Sequence, residues 1–323
     1  MTEKSIGKLS ADDVASASVM VALAHAHPFT SANEILDAGF RAVDGLPREE
    51  LTYEQLMWGQ LAEPLILREM GNRLGLPVET GITERVEHAT LPLQGSLDGV
   101  LQGDGRIVSS IDGSRVVDGA EIALDGPGVA EAKLTSALPR DVPDIYRGPT
   151  QVQALMMCTG YTWAAIGTLY RGTQLLIYIV RPDAAAQAKI AADAKDFKRR
   201  IDLYRDTGER DWYPLMTAND AGIIWPEPDE DITPVTLEGG ANEAALGLIR
   251  AKAARRQADK EIEAATLRIQ ERMGSSQIAI VQDQGEPVAE IRWPMSKARS
   301  MYVVPDRPAS RSKSLRVKVY GDK

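Results

Sequence analysis

The chain has a single cysteine, Cys158, in 323 residues. An intramolecular disulfide is therefore excluded, as is any site that needs several thiolates, such as a four-cysteine iron–sulfur cluster. Set among the apolar residues of "ALMMCTG", Cys158 reads as a buried and inert thiol. Long apolar runs are missing too. The best candidate, "VMVALAHA", is short, follows Asp12 and Asp13 and lacks a basic leader, which predicts a core helix and a cytoplasmic protein with no membrane span. Histidine is scarce, with three in the chain. His25 and His27 cannot share a helix face and His88 is distant, so no zinc site is expected. No Ser-His-Asp grouping is evident for nucleophilic hydrolysis, and "GDGRIV" is too short a glycine pattern for a nucleotide-binding fold.

An overall positive charge is also absent. The formal net charge of −9 argues against a protein coated in cations for nucleic acid. Basic residues are nevertheless concentrated locally, in "KDFKRR" (195–200) and over 291–323, either as solvated faces or as contact surfaces. The hydrophobic share of 44% and charged share of 26% are those of an ordinary folded protein.

Apolar residues recur at helical spacing from Ser10 to Val43 and from Thr52 to Leu74, with Ser10 and Ser31 as N-caps. From Arg85 to Leu134 short apolar runs alternate with Gly and Asp, predicting an antiparallel meander. A helix opens at Pro149 and Thr150, two strands follow ("YTWAAIGTLY", "TQLLIYIV"), then a helix from Pro182 to Tyr204. The expected fold is mixed α/β (α+β), a central mixed sheet flanked by helices over 1–212. A Pro- and acid-rich linker or surface loop (213–241) precedes a C-terminal region (242–323) made of a long helix, a small hairpin and a basic tail. That helix carries an apolar stripe through Leu248, Ala251, Ala258, Ile262, Ala265, Ile269 and Met273.

"VAEAKLTSA" (129–137) sets Glu131 and Lys133 on one face of a strand, with Val129. Alone this is either a solvated ion pair or half of a metal site. Asp98 in "QGSLDGV" is either a turn residue or a ligand. Glu63 in "WGQLAEPLILREM" aligns with Leu56, Leu67, Met70 and Leu74, so a buried carboxylate there needs a cation, a donor or a raised pKa. Gln151 and Gln153 lie in the first turn of a helix, where free N–H groups favour an anion.

Taken in order, "WGQLAE", "GSLDG", "AEAK" and "TQVQALMMCTGYTWAAIGTLY" resemble the PD-(D/E)XK nuclease core, and more narrowly the lambda exonuclease and YqaJ family of viral recombination nucleases, over about residues 10–206. The resemblance implies a restriction-endonuclease-like fold and hydrolysis of phosphodiesters with Mg²⁺, Mn²⁺ substituting. It implies that Asp98, Glu131 and the Ala132 carbonyl bind the metal, with Glu63 supporting it from the helix side. Lys133 would orient or deprotonate the attacking water, its pKa lowered by the cation. Gln151, with Gln153 in reserve, would hold a phosphate or the metal-bound water. Ser96 and Ser18 match positions that hold a terminal 5′-phosphate, with Lys8 as the nearest upstream cation. The activity implied is 5′→3′ digestion of double-stranded DNA ends, leaving 3′ single strands for an annealing protein, by a homo-oligomer shaped as a ring trimer. An endonuclease of the same fold and a non-catalytic scaffold that binds DNA ends or partners are the alternatives.

Overall fold

The computed structural model describes residues 11–46, 54–110, 114–117, 121–226, 235–294, 299–301, 304–307 and 316–319. The chain divides into two compact units, Met1–Asp229 and Glu230–Lys323.

In the first unit the elements run β1 (Ala15–Ser16), α1 (Met20–Leu23), α2 (Ala32–Val43), α3 (Glu54–Leu74), β2 (Val78–Thr80), β3 (Arg85–Glu87), β4 (Leu93–Ser96), β5 (Gly99–Ser109), β6 (Ser114–Val116), β7 (Glu121–Thr135), α4 (Pro149–Thr159), β8 (Ala164–Tyr170), β9 (Gln174–Val180), α5 (Ala184–Thr207) and α6 (Ala218–Ile224). A six-stranded sheet has the order β2-β5-β7-β8-β9-β6, and β1, β4 and β3 form a small second sheet. β5 and β7 pair antiparallel, β7 and β8 parallel, β8 and β9 antiparallel. This is the mixed sheet flanked by helices that the sequence predicts.

Strands buried on both faces read as nearly continuous apolar runs, as β8 and β9 do. On one face Leu67, Met70 and Leu74 of α3 pack with Leu124, Ala130, Trp163, Ala165 and Ile177. On the other, Val152 and Leu155 of α4 and Phe197 of α5 join Val129, Ile166 and Tyr178. Gly167 lets α3 lie close, since a Cβ there would stand 2.2 Å from the Met70 sulfur.

Ser31 caps α2 with a full capping box to Glu34; Ser10 and Thr52 fall outside the described residues. The continuous helix expected up to Val43 is broken. β1 pairs with β4, and after α1 the chain turns at His25, which has φ 57°. α3 runs through Pro64 as one helix. Its expected apolar stripe is buried only from Ile66 onward, while Leu56, Met57, Trp58, Leu61 and Leu65 face solvent. The meander also differs from expectation. β3 and β4 leave the main sheet, and β6, from the "SIDGSRVVDG" segment, pairs parallel with β9 at the far edge. Part of the segment assigned to a linker belongs to this unit: Asn33 and Tyr213 exchange two hydrogen bonds, and α6 packs on α2 with Asn219 donating to Glu34.

In the second unit α7 (Gly239–Met273) precedes the hairpin of β10 (Ile278–Asp283) and β11 (Glu286–Arg292). Its turn residues Gln284 and Gly285 have φ of 49° and 90°, as a primed turn requires. Within the basic tail, Arg316–Val319 adds a strand to β11. Leu248 and Ile262 of the α7 stripe are exposed and Met273 is buried. Among the described residues no helix is long and apolar enough to cross a membrane.

Candidate active site

Asp98 sits in the corner between β4 and β5. β5 begins at Gly99, paired with Ala130, so β7 runs on past it toward Thr135 without a β5 partner. Asp98 fills the gap: its Oδ2 accepts the Ala132 N–H at 2.9 Å. The N–H and C=O of one strand residue point the same way, so the Ala132 carbonyl faces this edge too.

Glu131 is 1% exposed. Its Oε1 accepts from Lys133 Nζ at 2.6 Å, and its Oε2 is buried without a donor, with the Asp98 carboxyl close to that of Glu131. Burial, then the charge of Asp98, pushes its pKa up to about 8 against the pull of Lys133. Lys133 also donates to Gln151 Oε1 at 2.9 Å, from the first turn of α4. Glu63, half-buried on α3, is raised to about 7 by burial and then by Asp98, with Lys133 opposing. Burial lowers the pKa of Lys133, but the carboxylates of Glu131, Asp98 and Glu63 more than offset this and hold it above the ordinary value. The fall expected for a lysine base is thus not a property of the protein alone.

The structure therefore brings Glu131, Lys133 and Gln151 into one hydrogen-bonded cluster, with Asp98 bonded to the intervening Ala132 N–H and Glu63 in electrostatic reach. A buried carboxylate oxygen without a donor is costly, and three acids face one ammonium. Hard oxygens left short of positive charge suit a divalent cation. Among the described residues no set of three or more His, Cys, Asp or Glu side chains is already arranged as a metal cage. A cation placed here would meet side-chain oxygens of Asp98 and Glu131, with the Ala132 carbonyl beside them.

Gln153 does not belong to this cluster. Its Nε2 donates to the Arg181 carbonyl at 2.6 Å, and its Oε1 accepts from the Asp183 N–H at 2.9 Å and from Gln187 at 3.2 Å. All of its bonding goes into joining α4 to the start of α5. Ser18 is exposed and lies 3.2 Å from the Ser16 hydroxyl. β1 runs parallel to β4 with Ser16 opposite Gln94, so Ser18 and Ser96 lie at the same end of that small sheet. Neither bonds to the cluster, and Lys8 is outside the described residues.

The arginines of "KDFKRR" are taken up by Asp196 and Asp211, and Lys198 by Asp202, which makes this patch an ion-paired face. His27 and His88 each accept backbone N–H bonds through Nδ1. Burial pushes the Cys158 thiol up to about 12.

Two features escape sequence reasoning. Thr168 stands opposite Lys133 in the β7–β8 register, fully buried with an unpartnered hydroxyl. Its polar place in the apolar run "AAIGTLY" is the available signal. Arg147, just before α4, donates to the Thr135 hydroxyl two residues beyond Lys133, a long-range contact with no local signature.

No family model matches the chain, and no curated protein is similar to it. Among solved structures it is similar to LHK-Exo in complex with dAMP, with 17% identity and a TM-score of 0.45 over 61% of this chain and 92% of that one. LHK-Exo, an alkaline exonuclease from Laribacter hongkongensis, also matches at 16% identity and a TM-score of 0.45, over 61% and 91%. A phage related exonuclease from Haemophilus somnus 129PT matches at 13% identity and a TM-score of 0.38, over 61% and 96%.

Proposed function

We propose that the chain is a metal-dependent deoxyribonuclease of the lambda exonuclease and YqaJ type, digesting double-stranded DNA ends 5′→3′ in the cytoplasm. The observation that carries this reading is the buried Oε2 of Glu131, without a donor, beside Asp98 and Lys133. A scaffold has no use for a fully buried carboxyl set against a second acid, which an apolar side chain would replace at lower cost. Mg²⁺, or Mn²⁺ in its place, supplies charge neutralisation at phosphorus and an activated water when bound.

The chain's own residues do the rest. Asp98 and Glu131, with the Ala132 carbonyl, would hold the cation, and Glu63 would add negative charge from α3. Lys133, kept charged by these acids, orients the incoming water and meets the charge that grows on the phosphate oxygens. It gives up a proton only once the acids around it are neutralised. Gln151 fixes the Lys133 ammonium and presents its amide N–H groups to the phosphate, alongside the free N–H groups of the α4 first turn. Ser18 and Ser96 hold a terminal phosphate. The 3′ single strand passes to an annealing protein, and a ring trimer keeps an acidic chain on DNA through an inward basic surface.

The test is digestion of linear duplexes with and without a 5′-phosphate, beside a closed circle, in Mg²⁺ or Mn²⁺. Release of 5′ nucleotides from the linear duplexes and an intact circle are expected. Cutting of the circle at the linear rate replaces this reading with an endonuclease, and no cleavage of any substrate overturns it.

A further inference from the structure

Three rings meet at the entry to α4, outside the carboxylate cluster. Ring centroids lie 6.1 Å apart for His27 and Phe29, 5.7 Å for His27 and Tyr146, and 6.2 Å for Phe29 and Tyr146. All three contacts are edge-on, with interplanar angles of 76°, 81° and 83°. Each such contact sets the edge of one ring against the face of another. Phe29 is 78% exposed. An apolar ring is held out there by a built turn: the N–H groups of Phe29 and Thr30 donate to His27 Nδ1 at 3.3 and 2.9 Å, directly before the Ser31 cap of α2.

The cluster is tied to the candidate site from two sides. The Arg147 guanidinium stands 4.8 Å over the Tyr146 ring and its Nε donates to the Tyr146 hydroxyl at 3.0 Å. The same guanidinium bonds Thr135, which follows Lys133 on one face of β7. Gln151 lies five residues after Tyr146, in the turn of α4 that the ring precedes.

We propose that Phe29 and Tyr146 are a stacking platform for an unpaired nucleobase of the DNA strand entering the site. The proposal rests on the nuclease reading. A strand cut next to Lys133 must leave its partner, which uncovers a base whose flat face seeks an aromatic surface. A ring backed by a guanidinium offers one beside the phosphate path, and it accepts any base because every base has a π-face.

The probes are 5′-phosphorylated single strands of about 12 nucleotides, intact or with one abasic residue at successive positions. Binding is measured in Ca²⁺, with wild type, Phe29→Ala and Phe29→Trp. Phe29→Ala is expected to weaken the intact strand about tenfold. One abasic position should weaken wild type equally, and at that position the substitution should cost nothing more. Phe29→Trp should restore binding. Wild-type affinity in Phe29→Ala, the same loss on every abasic strand, or no binding by wild type overturns the platform. Digestion of a 5′-phosphorylated linear duplex by wild type in Mg²⁺ reports separately on the nuclease reading: platform-dependent binding without digestion sinks that reading alone, and digestion with strand binding indifferent to Phe29 sinks the platform alone.

Discussion

Asp98 takes the place of a missing strand residue: with β5 beginning only at Gly99, its carboxylate accepts the Ala132 N–H at 2.9 Å. The same group thus finishes a β-ladder and faces Glu131. Asp98→Asn keeps an acceptor for Ala132 but loses the charge, whereas Asp98→Ala loses both. We expect Asp98→Asn to melt near wild type and Asp98→Ala to lose about 1 kcal/mol, the cost of a half-buried donor left without its acceptor. Nuclease activity should fall by at least about 100-fold in both, because each removes ligand charge. Thermal melts beside a digestion assay separate the two functions, and full activity in Asp98→Asn would exclude a metal-binding role.

Lys133 bridges Glu131 on its own strand and Gln151 on α4. Lys133→Ala should lower the rate of phosphodiester cleavage by about 10²–10⁴. Affinity for duplex ends should change little, because the lost interaction belongs to the transition state. Single-turnover digestion and end-binding titration are the measurements. A variant that digests within a few-fold of wild type would remove Lys133 from the chemistry.

Glu131 and Glu63 are raised from 4.5 to about 8 and about 7. A carboxyl raised in the folded state binds its proton more tightly there than in the unfolded chain. Its contribution to stability is complete below pH 4.5 and is lost as pH climbs through 7 and 8. Lys133 also rises, but from 10.5, so its effect lies above this window. Without metal, the melting temperature should decline between pH 5 and pH 8.5, and Glu131→Gln should flatten the decline. Mg²⁺ should raise the melting temperature at pH 8 and hardly at pH 5, where protons occupy the same oxygens. A flat profile in the wild type would show that neither carboxyl is perturbed.

The alternation of Glu131 and Lys133 is legible because a period of two is a local property of a strand. The Ser31 cap is legible for a similar reason, as its partner Glu34 is three residues away. Asp98 in isolation is a turn residue, and only the place where β5 begins gives it a second role. The crossing of β6 to β9 has no local signature, since strand pairing at that distance depends on which edge is free. The apolar half of α3 that faces solvent, from Leu56 to Leu65, defeats the stripe argument because the periodicity does not say how far the sheet extends beneath a helix.

Gln151 and Gln153 were open to separation by geometry alone. Two residues along a helix turn the side chain by roughly 200°, so the pair cannot serve one site. Gln153 holds Arg181, Asp183 and Gln187 from a buried position. Gln153→Ala should therefore cost about 1–3 kcal/mol, a fall on the order of 5 °C in melting temperature, with residual activity in proportion to folded protein. Gln151→Ala should do the reverse and lose turnover at nearly unchanged stability. Equal effects of the two in both assays would contradict the division of roles.

Gly167 governs how closely α3, and with it Glu63, approaches the sheet. A Cβ at 167 would stand 2.2 Å from the Met70 sulfur, 2.7 Å from its Cγ and 3.0 Å from Ile66 Cγ2. Gly167→Ala must push α3 outward or distort Met70, an overpacking that costs about 1–3 kcal/mol. Met70→Ala alone opens a cavity and costs about 2–5 kcal/mol. In the double variant the new methyl enters the space that Met70 vacates, so the combined loss should fall short of the sum by about 1 kcal/mol or more. Turnover should follow the same pattern, falling in Gly167→Ala as Glu63 is displaced and recovering in part in the double variant. Strict additivity in denaturant titrations would mean that the two side chains do not share this space, and that α3 is positioned by its other contacts.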